Sequence, residues 1–304
     1  MPFSYNLSVI VPTFNGKSNL KRLLESLESQ KFKDFEVVIV IDGSVDKTIG
    51  LKKLQWGMDI TWIEQENKGR AGARNEGAKN SNAELLLFID DDMVMKTNST
   101  EKHWTHHQEF TDTILVGNAI KRVDNSSSDF ERFKLYLENK WFEKFPLKGK
   151  LPTNQAFITA ANFSISRELF EKMSGFDERL FDQEDFDLAL RASNMDIPIF
   201  IDKTIYGWHM DNVDIRSYIK RQLEYKIATK NVLVLKPQYI ENYKNRIPKL
   251  TFWKAVVYWL FANRSFLKFT EAKLYRLFPR RFRYKFYELS IWGYINYFSN
   301  KINW

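Results

Sequence analysis

Residues 85–93 read LLLFIDDDM, five apolar residues closed by three consecutive aspartates. An unbroken apolar run of this length predicts a strand buried on both faces, of the kind found inside parallel sheets. Adjacent carboxylates repel one another, and burying them without a compensating cation is strongly unfavourable. Open α/β sheets bind ligands beyond the carboxyl ends of their strands, so this placement predicts one wall of a binding crevice.

The chain on either side follows the same plan. LSVIV (7–11), FEVVIVI (35–41) and the weaker ITWIE (60–64) predict three more strands, and the fourth extends back to Ala83. SNLKRLLESLESQ (18–30) sets Leu20, Leu23, Leu24 and Leu27 on one helical face. A second helix is expected from Val45 and a third over GRAGARNEGAK (69–79). Such alternation predicts an α/β fold with a doubly wound, mostly parallel, Rossmann-like sheet. Pro12-Thr13-Phe14-Asn15, Asp42-Gly43-Ser44 and Asp90-Asp91-Asp92 each follow a strand and should face one crevice. Farther on, TILVGNAI (113–120) predicts a strand and residues 130–144 a helix. FITAANFSISRELFEKMSGFD (157–177) predicts a strand, a turn and a helix ending near Gly175. PIFID (198–202) and TIYGWHMD (204–211) predict two short strands. From Ile215 helices dominate, interrupted at Pro237, Pro248 and Pro279.

Composition narrows the chemistry. With no cysteine in 304 residues, disulfides, thiolate metal sites and cysteine nucleophiles are excluded, and a reducing cytoplasm fits. No basic, apolar leader precedes Pro12. The longest apolar run, AVVYWLFA (255–262), is too short to cross a bilayer. Residues 1–215 hold 27 Lys+Arg against 34 Asp+Glu (−7), whereas residues 216–304 hold 19 against 4 (+15), so the basic character belongs to the C-terminal third.

Alternate residues of a strand point to the same side, so Asp90 and Asp92 converge while Asp91 faces away. Two such carboxylates suit Mg2+ or Mn2+, and a solvated acidic loop is the plainer alternative. FDQEDFDLALRA (181–192) puts Glu184-Asp185 at the start of a packed helix. There they either complement the helix dipole or supply a general base. His209 is a metal ligand or an ordinary structural histidine. His103, His106 and His107 read as surface residues, and Lys68, Arg70 and Arg74 as phosphate contacts or salt-bridge partners. No Walker phosphate loop and no G-x-G-x-x-G after a strand is present, which argues against P-loop NTPases and Rossmann dehydrogenases.

Taken in order, SVIVPTFN (8–15), VVIVIDGSVDKT (37–48), NKGRAGARNEG (67–77), LLLFIDDDM (85–93) and FDQEDFDLALRA (181–192) resemble the family 2 glycosyltransferases. The resemblance covers roughly residues 5–212. It implies a GT-A fold, a nucleotide-sugar donor, usually UDP-linked, a divalent metal cofactor and inversion at the anomeric carbon. By position, Pro12, Thr13 and Asn15 would line the nucleotide pocket, Asp42 would contact uracil, and Arg74 would lie near the base or diphosphate. The triplet would be the family's D-x-D, with Asp92 and Asp90 on the metal and Asp91 left to the donor. Asp185 would be the base, Glu184 an acceptor contact, and His209 a further group at the metal or diphosphate. The usual aspartate pair before Gly-Ser is here Ile41-Asp42, a departure that removes one nucleotide contact.

The resulting expectation has three parts: a donor half (1–118), an acceptor half (119–214) and a basic, aromatic-rich helical extension (215–304). Residues 252–304 carry 18 aromatics mixed with Lys and Arg. No nucleic-acid motif accompanies them, so nucleic acid is not expected as a partner. Peripheral contact with an anionic membrane on its inner, cytoplasmic face would suit a lipid-linked or glycan acceptor, and a helical subdomain or a dimer contact would use the same residues. A sugar-phosphate nucleotidyltransferase and a non-catalytic scaffold are the competing functions. The first should carry a glycine-rich N-terminal loop that SVIVPTFN lacks, and the second has no need of Asp92 and Asp185.

Overall fold

The computed structural model describes residues 4–239 and 250–297. Its first elements are β1 (Tyr5–Thr13), α1 (Lys17–Glu28), β2 (Phe35–Asp42), β3 (Ile60–Gln65), α2 (Gly69–Lys79) and β4 (Ala83–Ile89). β5 (Met93–Met95), α3 (Ser99–Glu109), β6 (Ile114–Lys121), α4 (Asp129–Phe142) and β7 (Lys148–Lys150) follow. Then come β8 (Asn162–Ser166), α5 (Arg167–Lys172), α6 (Glu184–Asn194) and β9 (Ile199–His209). The C-terminal helices are α7 (Ile215–Leu235), α8 (Phe252–Phe261), α9 (Arg264–Glu271) and α10 (Arg280–Tyr297). Two compact units result, Met1–Arg122 with Lys140–Asp211, and Val123–Asn139 with Asn212–Trp304.

In the first unit the strands lie in the order β3-β2-β1-β4-β8-β6-β9-β5, with β7 also paired to β9. β3, β2, β1 and β4 are parallel. β8 runs against both β4 and β6, β6 and β9 are parallel, and β5 and β7 run against β9. Of the nine described strands, β1, β2, β3, β4, β6 and β9 share one direction, so the sheet is mostly parallel as expected.

Alternation along β1 explains why both sheet faces are covered. Leu7, Val9 and Val11 pack with Leu20, Leu23, Leu24 and Leu27 of α1, while Ile10 packs on the other face with Phe88, Ala71 and Ala78. Each leucine buried in this way stabilises the fold by about 1.5–3 kcal/mol. Gly77 lets α2 approach closely, because a Cβ there would stand 2.5 Å from Ile10 Cγ2.

Several local expectations are corrected. No α-helix starts at Val45; a 3-10 turn spans Thr48–Lys53, held by Asp46 Oδ1, which accepts from Thr48 N at 3.1 Å and from Thr48 Oγ1. Residues 199–209 are one strand rather than two, and a register shift between Val116 and Asn118 on β6 absorbs the irregularity. The histidines of α3 are not at the surface, with His103 0% and His106 5% exposed and His107 partly buried. His103 Nδ1 and His107 Nε2 both meet Ser164 Oγ, at 2.8 and 2.9 Å, and His103 Nε2 meets Asn162 Oδ1 at 2.9 Å. Neutral rings satisfy this chain, and burial pushes His103 down to about 4.

The second unit has its own core. Phe130 and Phe133 of α4 pack with Ile215, Ile219 and Leu223 of α7 and with Tyr275, Tyr287, Ile291 and Tyr294. Arg283 and Asp129 close it with an ion pair of 2.9 Å. Tyr287 and Tyr294 of α10 are thus core residues, with Tyr284 and Phe286 packed against them, and the expected helical extension is present. Pro248 lies outside the described residues. No described helix is long and apolar enough to cross a membrane.

Candidate functional site

The carboxyl ends of β1, β2 and β4 and the first turns of α2 enclose an open cleft of about 550 Å3, counted with its mouth. Pro12, Thr13, Asp42, Arg74, Asp90, Asp91 and Asp92 line it together with Phe14, Arg70 and Ala73. The three polar clusters that follow strands therefore do meet. Asn15 ties two of the loops, since its backbone N–H donates to Ser44 Oγ (2.9 Å) and its Oδ1 accepts from Val45 N (2.8 Å). Its φ of 52° lies in the left-handed region that asparagine tolerates. Asp42 is buried, and its Oδ1 accepts from Gln65 Nε2 and the Lys68 backbone N–H, both at 2.8 Å.

β4 ends at Ile89, and the triplet lies in a turn in which Met93 N donates to Asp90 O at 3.2 Å. Strand alternation therefore stops before Asp90 and does not sort the three carboxylates. Asp90 Oδ1 accepts from Arg74 Nη2 at 2.6 Å. Burial pushes the Asp90 carboxyl up, but the guanidinium of Arg74, with Arg70 and His209, brings it below its ordinary value. Asp91 accepts from Thr13 Oγ1 at 2.5 Å, across to β1, and burial with Asp92 and Asp90 nearby pushes it up to about 7 against that bond. Gly16 permits this contact, because a Cβ there would stand 1.9 Å from Asp91 Oδ2.

Asp92 faces His209, with Nε2 3.2 Å from Oδ2. β5 and β9 set this distance by pairing Met93 with His209, while Met210 N donates to Asp92 O at 2.9 Å. The other ring nitrogen, Nδ1, is 3.0 Å from Asp211 Oδ1, and Lys121 Nζ is 3.4 Å from the same oxygen. Asp92 Oδ1 is buried without a hydrogen-bond partner. Burial raises the Asp92 carboxyl; His209 opposes this, and Asp90 and Asp211 add to it.

Glu184 and Asp185 open α6, whose N-cap Gln183 makes no side-chain capping bond. Arg74 reaches Glu184 through Nη1 while Nη2 holds Asp90, and Phe176 lies 5.6 Å from the guanidinium. Arg74 and Glu184 are 2% and 3% exposed, so this bridge is sealed from solvent. Asp185 accepts from Phe186 N at 2.7 Å and Ala160 N at 3.3 Å. Burial and the Glu184 charge push it up to about 7, partly opposed by Arg74. Arg70 is half-exposed and its nearest carboxylate, Asp182, stands at 3.9 Å.

Residues that the sequence argument missed hold the ones it named. Asp211 fixes His209, and its signal was the i, i+2 spacing in WHMD at a strand end. Gln65 and the Lys68 backbone engage Asp42, and the Ala160 backbone engages Asp185. No sequence signal marks them, because each contact joins separate loops. Among the described residues no three or more acidic or histidine side chains form a ready metal cage.

An uncharacterized glycosyltransferase of Haemophilus influenzae is 29% identical over 194 residues, 61% of this chain and 61% of that protein. Glycosyltransferase GlyA of Streptococcus pneumoniae is 30% identical over 210 residues, 66% of this chain and 29% of its own length. The chain thus spans less than two thirds of these relatives. Among solved structures, S. aureus TarS aligns over 95% of this chain and 54% of its own, at a TM-score of 0.58 and 18% identity. GalNAc-T7 crystallised with UDP, GalNAc and Mn2+ aligns over 69% and 44%, at 0.55 and 15%. At such identities these two establish a shared fold. The model of the family described as glycosyl transferase family 2 matches residues 8–174, more than half of the chain, so the chain belongs to that family.

Proposed function

We propose that the protein is a metal-dependent, inverting glycosyltransferase that moves a sugar from a nucleotide sugar, UDP-linked, to a hydroxyl of a glycan or lipid-linked acceptor. The observation that carries this reading is the buried Arg74 bridge between Asp90 and Glu184. It ties together, in one wall, Glu184, the neighbour of Asp185, and Asp90, which precedes Asp92 by two residues, so groups for the two ends of a displacement share one support. The donor half (1–118) supplies the diphosphate end and the acceptor half (119–214) supplies the base.

In this reading the acceptor hydroxyl gives its proton to Asp185 as its oxygen bonds to the anomeric carbon. The bond from that carbon to the diphosphate breaks on the opposite side, and UDP leaves with the electron pair, which inverts the configuration. A carboxyl pushed up to about 7 is a stronger base than an ordinary aspartate and still largely ionised just above neutrality. Arg74 pins Glu184 beside it. Pro12, Thr13, Asn15 and Asp42 border the nucleotide, and Arg70, more accessible than Arg74, meets the diphosphate.

The partnerless Asp92 Oδ1 and the Asp211-oriented His209 fit a divalent ion with open positions for donor phosphates. Mn2+ or Mg2+ would be held by Asp92 and His209, with Asp90 contributing only through its second oxygen, and supplies charge for the leaving diphosphate when bound. S. aureus TarS binds UDP and UDP-GlcNAc in its crystals and GalNAc-T7 binds UDP, GalNAc and Mn2+, which supports the donor and metal classes. A station on the inner face of the cell membrane, in polysaccharide or glycoconjugate assembly, completes the proposal.

The test is Asp185→Asn, assayed for UDP release from a panel of UDP-sugars with Mn2+. Turnover should fall at least about a hundredfold, while UDP binding by calorimetry stays close to wild type. Unchanged turnover in this variant would remove Asp185 as the base.

A further inference from the structure

We infer that the second unit docks on an anionic lipid surface through the outer face of α8, which lies in the plane of the interface rather than across it. This deepens the membrane placement proposed above and is independent of the transferase chemistry. The structure divides the aromatic residues of this region into two populations. Tyr275, Tyr287 and Tyr294 are core residues at 1–4% exposure, whereas Phe252, Trp253, Trp259 and Leu260 of α8 are 51–76% exposed.

The direction of α8 follows from its contacts with α10. Tyr297 Oη donates to Ala255 O at 2.8 Å, and the backbone of Gly293 lies so close to Tyr258 O and Ala262 N that a Cβ there would stand 2.7 and 2.9 Å away. Ala255, Tyr258 and Ala262, at i, i+3 and i+7, therefore face α10. Trp253, Val257 and Leu260, at i, i+4 and i+7, lie on the opposite side. No residue of α8 is buried. A helix whose outward stripe is tryptophan, valine and leucine is the reverse of the pattern of a helix facing water. Ten residues reach only about 15 Å, half of the hydrocarbon thickness, so insertion is parallel to the surface.

Charge selects the occupant. Lys254, Arg264, Lys268, Arg276, Arg280 and Arg281 are exposed, within a segment that carries +15 over residues 216–304. Leu277, Phe278 and Phe282, at 79, 46 and 61% exposure, are interleaved with three of these arginines. Pairing two copies through α8 would bring two strongly basic segments together, whereas anionic headgroups neutralise such charge, each basic residue near the lipid strengthening binding about fivefold.

The full chain should therefore sediment with vesicles of equal phosphatidylglycerol and phosphatidylcholine at low salt. It should bind phosphatidylcholine alone at least tenfold more weakly, and lose the anionic binding in high salt. The double variant Trp253→Glu with Leu260→Glu, checked for folding by circular dichroism, should bind the anionic vesicles at least tenfold less while releasing UDP from the donor in solution at the wild-type rate. Equal binding by wild type and variant would overturn the inference, as would no binding at low salt. A concentration-dependent dimer in sedimentation velocity, lost in the variant, would assign the face to a second copy instead. Donor turnover without vesicle binding would refute the docking face alone, and vesicle binding without turnover would refute the transferase reading alone.

Discussion

Arg74→Met removes the charge between Glu184 and Asp90 while keeping most of the side-chain length. In the wild type Arg74 and Glu184 are nearly inaccessible, and Asp90 is one-third exposed at 2.6 Å from Nη2. Removing one partner of a buried ion pair costs about 3–5 kcal/mol, because the carboxylate left behind is neither hydrated nor compensated. The loss should depend on pH. Asp90 sits below its ordinary value in the folded protein, so it contributes stability that is fully present above the unfolded value and is lost as pH falls through the folded one. Without Arg74 that contribution disappears, and a proton taken up by the stranded Asp90 relieves the variant in acid. The stability gap should therefore be widest near pH 8 and narrow towards pH 5. Urea unfolding of both proteins at the two pH values measures it, and adding Glu184→Gln should recover part of the loss, with a coupling of about 1–3 kcal/mol. A cost below about 1 kcal/mol at pH 8, or a gap of equal size at pH 5, would refute the view of Arg74 as a sealed counter-charge.

With Asp185 pushed up to about 7, the kcat/KM profile should rise through that value as the base deprotonates, about tenfold per pH unit below it, and a profile flat from pH 5 to 8 would point to another base. The buried histidines predict acid sensitivity of a definite sign. His103 takes up a proton near 6.5 when unfolded but only near 4 when folded, so stability falls as pH drops between those values, by roughly 3 kcal/mol from this residue. Thermal unfolding at pH 7.5, 6 and 5 checks this, and His103→Gln should flatten the slope.

The parts of the fold legible in the sequence were those whose stabilisation is hydrophobic and periodic. β1, β2 and β4 announce themselves as apolar runs, and α1 by its leucine spacing. α3 was invisible as a packed helix because its buried face is made of Ser99, Thr100, His103 and His106, which carry no apolar periodicity. Its burial is bought by hydrogen bonds to Ser164 and Asn162 of β8 and to Thr113 in the loop before β6. β5 is three residues long and gains its identity from pairing with β9. The helix expected from Val45 fails for a local reason. Val45 is 86% exposed, so nothing rewards a helical face there, and Asp46 bends the chain into a tight turn.

The site shows a different division. Residue types at the ends of strands were readable, but their pairing was not, because Arg74 and Glu184 are 110 positions apart. Three adjacent aspartates at a strand end predict a cation that neutralises them. The folded chain does most of that itself, by three separate means: a guanidinium on Asp90, a hydroxyl and a raised carboxyl on Asp91, and an imidazole on Asp92. Among the buried oxygens of the triplet, Asp92 Oδ1 is the one without a hydrogen-bond partner. An ion arriving at this cleft would therefore meet a site whose charge is already mostly balanced, and binding should be weak until a donor diphosphate adds its own negative charge. That couples metal affinity to donor affinity. Mn2+ binding measured by calorimetry should tighten when UDP is present, and UDP binding should tighten by the same factor when Mn2+ is present, since the coupling free energy is shared. Equal Mn2+ affinity with and without UDP would mean that the protein alone completes the ion's coordination.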